Sequence, residues 1–333
     1  MQEKSFAKNL IANVRDWLSF SPQVTALLLA IVVFMASGLL PNGYDSLRGA
    51  FNQGLNIVRL SSFLAIISAG QTLVIISGGE GIDLSAGAVV TMAAYFTYSI
   101  INGNNSLILP VLMLVIVSGG FIGVLNGLGI AFLQIPPIIM TLGMAGVVQG
   151  TLLVMTRGLY DGAVAPLMTK LIARDLFLTI PGMIYLWVFF GIVMWVLLHR
   201  TRFGKQLYAI GVNRTTARLS GVKVKSMVIA TYTIAGALAA FSGFVLVGWT
   251  QNSGLEVGQP YLFPSIAAVA VGGTMLTGGE GSYFGTMVGA IVIQMISSLM
   301  RTMQMPEAVQ QIVYGAILLS LLVIYGRKKG LRL

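Results

Sequence analysis

In 333 residues the chain is 56% hydrophobic and only 9% charged, with 40 glycines and a formal charge of +10, whereas a soluble domain carries about 25% charged residues. This is the composition of an integral membrane protein, and the lack of any cysteine excludes disulfides, thiolate chemistry and cysteine metal sites. The positive charge sits in loops and tails beside apolar runs rather than in aromatic–basic clusters, which argues against a nucleic-acid partner.

The first 23 residues mix charges of both signs, with Pro22 before the first apolar run and no small-residue cleavage site after it. They read as a cytoplasmic segment leading into a retained signal anchor. A crossing of ~30 Å of hydrocarbon needs about 20 apolar residues, and ten stretches qualify as candidates: 24–40, 60–77, 84–101, 107–132, 137–156, 183–199, 226–249, 262–277, 284–300 and 309–325. The expectation is therefore an all-α membrane protein of about ten transmembrane helices spanning 24–325. The brief connections around 78–83 and 278–283 leave room for re-entrant segments.

Lys4, Lys8 and Arg15 precede the first stretch, and Arg327, Lys328, Lys329 and Arg332 form a basic tail over 326–333. Between the sixth and seventh stretches, residues 200–225 hold Arg200, Arg202, Lys205, Arg214, Arg218, Lys223 and Lys225 without one acid. Short basic loops stay in the cytoplasm. An even number of spans places both termini and this loop on that one side. The connections 157–182 and 250–261 then face outward, and the first is long enough to hold a docking element.

Within the spans, Gly119, Gly123 and Gly127 recur every four residues, as do Gly281, Gly285 and Gly289. Such stripes let helix backbones approach closely. Gly78-Gly79-Glu80-Gly81-Ile82-Asp83-Leu84-Ser85 breaks the apolar pattern, and Gly-Gly-Glu-Gly returns at 278–281 on the same side, a hint of an internal repeat. Asp83 is either an N-cap of the next helix or a polar kink on a water-filled path, where a carboxylate is expensive and usually functional. Gln71, Asn126, Thr141, Gln149 and Gln294 are polar residues inside spans. The candidates for a translocation path are Gln71, Glu80, Asp83, Ser85, Asn126, Thr141 and Glu280.

Inside the basic loop, Asn213 to Gly221 reads as a two-turn helix with an Asn N-cap and a glycine stop. A helix of ~10 Å is marginal alone, so it needs packing against its own bundle or a partner. Asn213, Thr216, Ala217, Arg218, Leu219, Ser220 and Gly221 are the candidate coupling residues. Gly204-Lys205 lacks the rest of a phosphate-binding loop, and no zinc motif, nucleophile elbow or dinucleotide fingerprint occurs. The chain by itself does not look like an enzyme, and it calls for no metal or cofactor. His199, the single histidine, stands at a segment end.

Several of these pieces resemble the permease subunits of bacterial sugar ABC importers of the ribose, xylose and galactoside type. They are Gly81-Ile82-Asp83-Leu84-Ser85 with Gly87, Ile135-Pro136-Pro137 with Thr141-Leu142-Gly143, Thr201-Arg202-Phe203-Gly204 through Asn213, Ala217 to Val222, and Ala267 to Gly273. The resemblance covers nearly the whole chain in the expected order. It implies a multi-pass protein of the bacterial inner membrane that works with a second permease subunit, identical or not, a cytoplasmic ATP-binding subunit and a periplasmic solute-binding protein. The cargo would be a sugar or a similar polar solute, a nucleoside or a furanone signal included, and the 213–221 helix would be the coupling helix seated in the ATPase. Where that family reads Ser-Gly-Gly-Ile-Asp-Leu-Ser, this chain carries an extra Gly-Glu. Two other classes remain: a stand-alone secondary transporter, which needs intramembrane relays that only Glu80, Asp83 and Glu280 offer, and a channel or scaffold subunit.

Overall fold

The computed structural model describes residues 28, 31–36, 38, 46–159, 161–177 and 180–327. The expected N-terminal segment, most of the 24–40 stretch and the tail residues Lys328, Lys329 and Arg332 lie outside the described residues.

The described chain is helical apart from one two-stranded ribbon. Helix α1 (Leu47–Ile76) starts where the Ser46 hydroxyl accepts the Gly49 N–H at 3.1 Å. From Ser61 to Ile76 it is buried on every side, so it can be apolar all round with no amphipathic stripe. Against it pack α6 (Gly182–His199), α9 (Val224–Thr250), α10 (Leu262–Val271) and α11 (Tyr283–Thr302). Beyond them α2 (Ala86–Ile101) and α3 (Ile108–Phe132) pack on α9, α4 (Pro137–Thr156) on α2, and α12 (Glu307–Arg327) on α10.

On α3 the residues Leu109, Met113, Val117, Phe121, Leu125, Leu128 and Phe132 are exposed in one helical stripe, while Gly119, Gly123, Asn126 and Gly127 are buried. Large apolar residues outside and small or polar ones inside reverse the soluble pattern, as a lipid solvent requires. Six of the described helices are long and apolar enough to cross a membrane: Leu47–Ile76, Asn105–Phe132, Pro137–Thr156, Gly182–His199, Val224–Thr250 and Tyr283–Thr302.

The glycine stripes are helix contacts. On the α3–α9 crossing a Cβ at Gly119 would overlap the Gly236 carbonyl, and one at Gly123 would overlap that of Tyr232. On α11, Gly285 and Gly289 meet Gly272 and Ala268 in the same manner. Gly281 does not belong to that stripe, because it precedes the N-cap Ser282 and has a φ of 149°.

Helices α2 and α10 have 16 and 10 residues, too few for a full crossing at ~20 residues. The apolar run expected at 262–277 stops being helical at Val271 because Gly272, Gly273 and the glycines beyond turn the chain. The connection before α10 is exposed at Thr250 to Asn252 and at Glu256, but its last residues leave the surface. Gly258 N–H donates to Thr91 Oγ1 at 3.0 Å, and Tyr261 meets Phe63 edge to face at 4.7 Å. Phe63 lies near the middle of α1, so this connection enters the bundle and its short helix starts there.

At the same end as Ile101 the long 157–182 connection holds α5 (Pro166–Ile172) and the antiparallel strands β1 (Asp175–Phe177) and β2 (Ile180–Pro181). Met168 and Ile172 are buried in the core. At the opposite end the basic loop holds two helices, α7 (Arg202–Val212) and α8 (Arg214–Leu219).

Candidate functional site

Two sets of residues converge at the basic end. The first is a buried polar network. Gln71 lies on the penultimate turn of α1, and residues 77–85 fold back along that helix instead of continuing it. Gln71 Nε2 donates to the Asp83 carbonyl at 2.6 Å, and the Asp83 N–H donates back to Gln71 Oε1 at 3.3 Å. Asp83 Oδ1 accepts the N–H of Ser85 at 2.9 Å and its hydroxyl at 2.6 Å. Asn126 Nδ2 on α3 donates to Ser85 Oγ at 2.9 Å, and the Leu84 N–H donates to Thr141 Oγ1 on α4 at 3.0 Å. Five path candidates, Gln71, Asp83, Ser85, Asn126 and Thr141, are thus one connected cluster from four parts of the chain.

Asp83 is 2% exposed. Its carboxylate caps no helix in the expected way, since Ser85 is the residue before α2 and Asp83 closes a turn two residues earlier. Asn126 Oδ1 and the hydroxyl of buried Tyr232 on α9 have no hydrogen-bond partner among the described residues. Spare hydrogen-bonding capacity therefore remains beside the cluster.

Glu80 and Glu280 are exposed and stand apart from that network. Glu80 has a φ of 59°. Gln294 is buried on α11, with its Oε1 unpaired, and is not part of the cluster either.

The second set is the meeting of the two Gly-Gly-Glu-Gly turns. Gly78 and Gly278 have φ values of 69° and 90°, and a Cβ on Gly278 would overlap Gly78 Cα. Gly211 on α7 closes on both turns: its own Cβ would overlap the Ile76 carbonyl, while the Gly279 N–H donates to that carbonyl at 2.9 Å. Arg214 Nη2 donates to the Gly78 carbonyl at 3.0 Å, and Tyr208 Oη to that of Gly281 at 2.7 Å. Burial pushes the Tyr208 phenol up from its ordinary pKa.

Helix α8 has the caps its sequence calls for. Asn213 Oδ1 accepts the N–H groups of Thr215 and Thr216 at 2.9 and 3.0 Å. Val222 N–H closes onto the Ala217 carbonyl at 3.0 Å around Gly221, whose φ is 86°. Ala217 is buried with Leu207, Ile210 and Met227. Asn213, Thr216, Arg218, Ser220 and Gly221 are exposed, and Leu219 is 83% exposed.

Sequence reading missed Arg214 and Tyr208 as joints, and missed α7 altogether. Its signal was present in Thr201 as N-cap, which accepts the Gly204 N–H at 3.2 Å, and in Phe203, Leu207 and Ile210 at helical spacing.

The arrangement contains no reactive constellation. It links an exposed helix, through Arg214 and the Gly78 turn, to the chain segment that holds the buried polar seam. Residues 54–322 match the family described as the branched-chain amino acid transport system/permease component. The ribose import permease protein of Bacillus subtilis (strain 168) is 33% identical over 91% of this chain and 91% of its own length. Its counterpart in Escherichia coli (strain K12) is 30% identical over 95% and 96%. The autoinducer 2 import system permease protein of Escherichia coli (strain K12 / DH10B) is 32% identical over 92% and 87%. No solved structure matches. With six bilayer-length helices and four-fifths of its length matched, the chain belongs to this permease-component family.

Proposed function

We propose that the chain is the membrane subunit of an ATP-driven importer and forms the translocation path for a sugar or a similar small polar solute. Its similarity to ribose and autoinducer 2 import permeases supports that cargo class. ATP is bound and hydrolysed by a separate cytoplasmic subunit, and a periplasmic binding protein delivers the solute to a pair of permease subunits in a bacterial inner membrane. Both termini and the basic loop are cytoplasmic. The described helices and the 24–40 stretch make about ten passes, with α10 as a half-length segment and α2 a slightly short one, the two meeting inside the bundle where Gly258 reaches Thr91. Transporters place their polar sites at such interrupted helices.

The observation that carries this reading is α8, a six-residue helix with a solvent-facing leucine and a guanidinium tied to the Gly78 turn. An ATPase seated on Asn213 to Gly221 would move Arg214, then Gly78, and through residues 79–85 the Asp83 cluster. Solute would pass the seam of Gln71, Asp83, Ser85, Asn126 and Thr141. An ion-driven transporter is less well supported, because of its three relay candidates only Asp83 is buried, Glu80 and Glu280 being exposed. A proton relay needs more than one such group.

Replacing Arg218 and Leu219 together by alanine leaves both caps of α8 in place. It should lower co-purification of the ATPase about ten-fold or more, the loss expected when two central interface contacts are truncated. Undiminished co-purification would remove α8 from the interface. Sidedness has its own test, since the chain has no native cysteine. In the ATPase-free subunit, Leu219→Cys should react with a membrane-impermeant maleimide in inside-out vesicles and not in intact spheroplasts. The reverse pattern would invert the topology.

A further inference from the structure

Beside α8, between it and the start of α9, lies a cleft of 550 Å³. Four cationic side chains line it: Arg214, Arg218, Lys223 and Lys225. No acid is among its lining residues, and a second hollow of 280 Å³ beneath the Ile135-Pro136-Pro137 turn shares Arg214 and Lys225 with it. Lys225 Nζ sits 4.6 Å from the Phe132 ring centroid, so an aromatic face holds this ammonium at the cleft wall. Arg214 spends one nitrogen on Gly78, and its Nε is buried without a partner among the described residues. Phe132 and Leu133, next to these cations, are 57% and 72% exposed. The stripe that continues from Phe132 up α3 is the apolar outer surface of the bundle. Cations that converge without a counter-charge, at the foot of a lipid-facing apolar stripe, are the features of a headgroup site at the membrane surface.

We propose that this cleft binds the phosphate of an anionic lipid, with Lys223 and Lys225 as the outer donors and the acyl chains lying along the Phe132 face of α3. The bound phosphate neutralises the charge gathered around Arg214, and so bears on the link between α8 and the Gly78 turn. A soluble phosphate could satisfy the same cations, but it would make no use of the exposed Phe132 and Leu133 beside them.

The test uses the full-length chain purified in mild detergent and native mass spectrometry with dioleoyl-phosphatidylglycerol, dioleoyl-phosphatidylcholine or inorganic phosphate. Phosphatidylglycerol should be retained at least ten-fold more strongly than phosphatidylcholine. Lys223→Gln/Lys225→Gln should reduce that retention by roughly 25-fold, about five-fold for each cation removed at an anionic surface, while Lys223→Arg/Lys225→Arg should restore it. Equal retention of the two lipids, or an unaffected glutamine variant, overturns the proposal. Full displacement of phosphatidylglycerol by millimolar inorganic phosphate would assign the site to a soluble anion and overturn the lipid source. Loss of ATPase co-purification with lipid retention intact would assign these cations to the protein interface, which also overturns it. The readout is lipid binding, so none of these outcomes depends on whether the solute is a sugar.

Discussion

Replacing Gly123 by valine is expected to remove most of the folded protein from the membrane. At this position α3 and α9 touch backbone to backbone, and even a Cβ would overlap the Tyr232 carbonyl while crowding Thr233 Cα. Neither neighbour is a side chain that can rotate away. The crossing also depends on Gly119 and Gly236, four residues or one turn removed on either helix, whose backbones face each other just as closely. Overpacking by a few methylenes costs about 1–3 kcal/mol where side chains can adjust, and a backbone contact offers less relief than that. A displacement of α3 would also strain the hydrogen bond from Asn126 to Ser85. Gly143→Val on α4 is the matched control, since nothing lies within 4 Å of a Cβ there. In fluorescence-detected size exclusion the Gly143 variant should run as the wild type, with the Gly123 variant largely aggregated or absent. A monodisperse Gly123→Val with an unchanged melting temperature would mean that the crossing is looser than described.

At Asp83 the expected results divide by substitution. Alanine leaves the buried N–H and hydroxyl of Ser85 without their acceptor, and each such orphan costs about 1–3 kcal/mol. Asp83→Ala should therefore lower both the melting temperature and uptake. Asparagine keeps an oxygen for both donors, so the turn from Leu84 into α2 survives and only the charge is lost. Asp83→Asn should melt close to the wild type, yet its solute uptake in proteoliposomes with the complete transporter should fall at least ten-fold if the seam lies on the path. Wild-type uptake by the asparagine variant would reduce Asp83 to a structural residue. A large drop in its melting temperature would show instead that the second carboxylate oxygen has a structural partner as well.

These two predictions differ in how far the sequence announced them. The four-residue recurrence of Gly119, Gly123 and Gly127 marked a close helix contact directly, because a helix repeats its face at that spacing whatever its neighbour is. Its partner was not legible, since α9 lies about a hundred residues further on and Gly236 stands alone in its own pattern. The cluster at Asp83 shows the same division. The glycine-rich break and its acid were visible, as were Gln71, Asn126 and Thr141 as polar residues in apolar runs. That they join one another, and that Glu80 and Glu280 do not join them, depends on how the 77–85 segment folds back along α1.

Taken alone, the sequence determined the membrane class, the helical content, the caps of α8 and the asymmetry of charge. These follow from composition and from interactions within a few residues: a side chain capping its own helix, a glycine turning its own backbone, a lysine held beside a lipid surface. Tertiary structure decided the rest. It cut the 262–277 stretch to the ten-residue α10, which starts inside the bundle, paired the two Gly-Gly-Glu-Gly turns around Gly211, and tied Arg214 to Gly78 across 136 residues. The reason is physical: in a bundle with apolar residues on nearly every helix face, hydrophobic periodicity no longer says which side faces in. Long-range contacts are then chosen by small residues and a few buried hydrogen bonds.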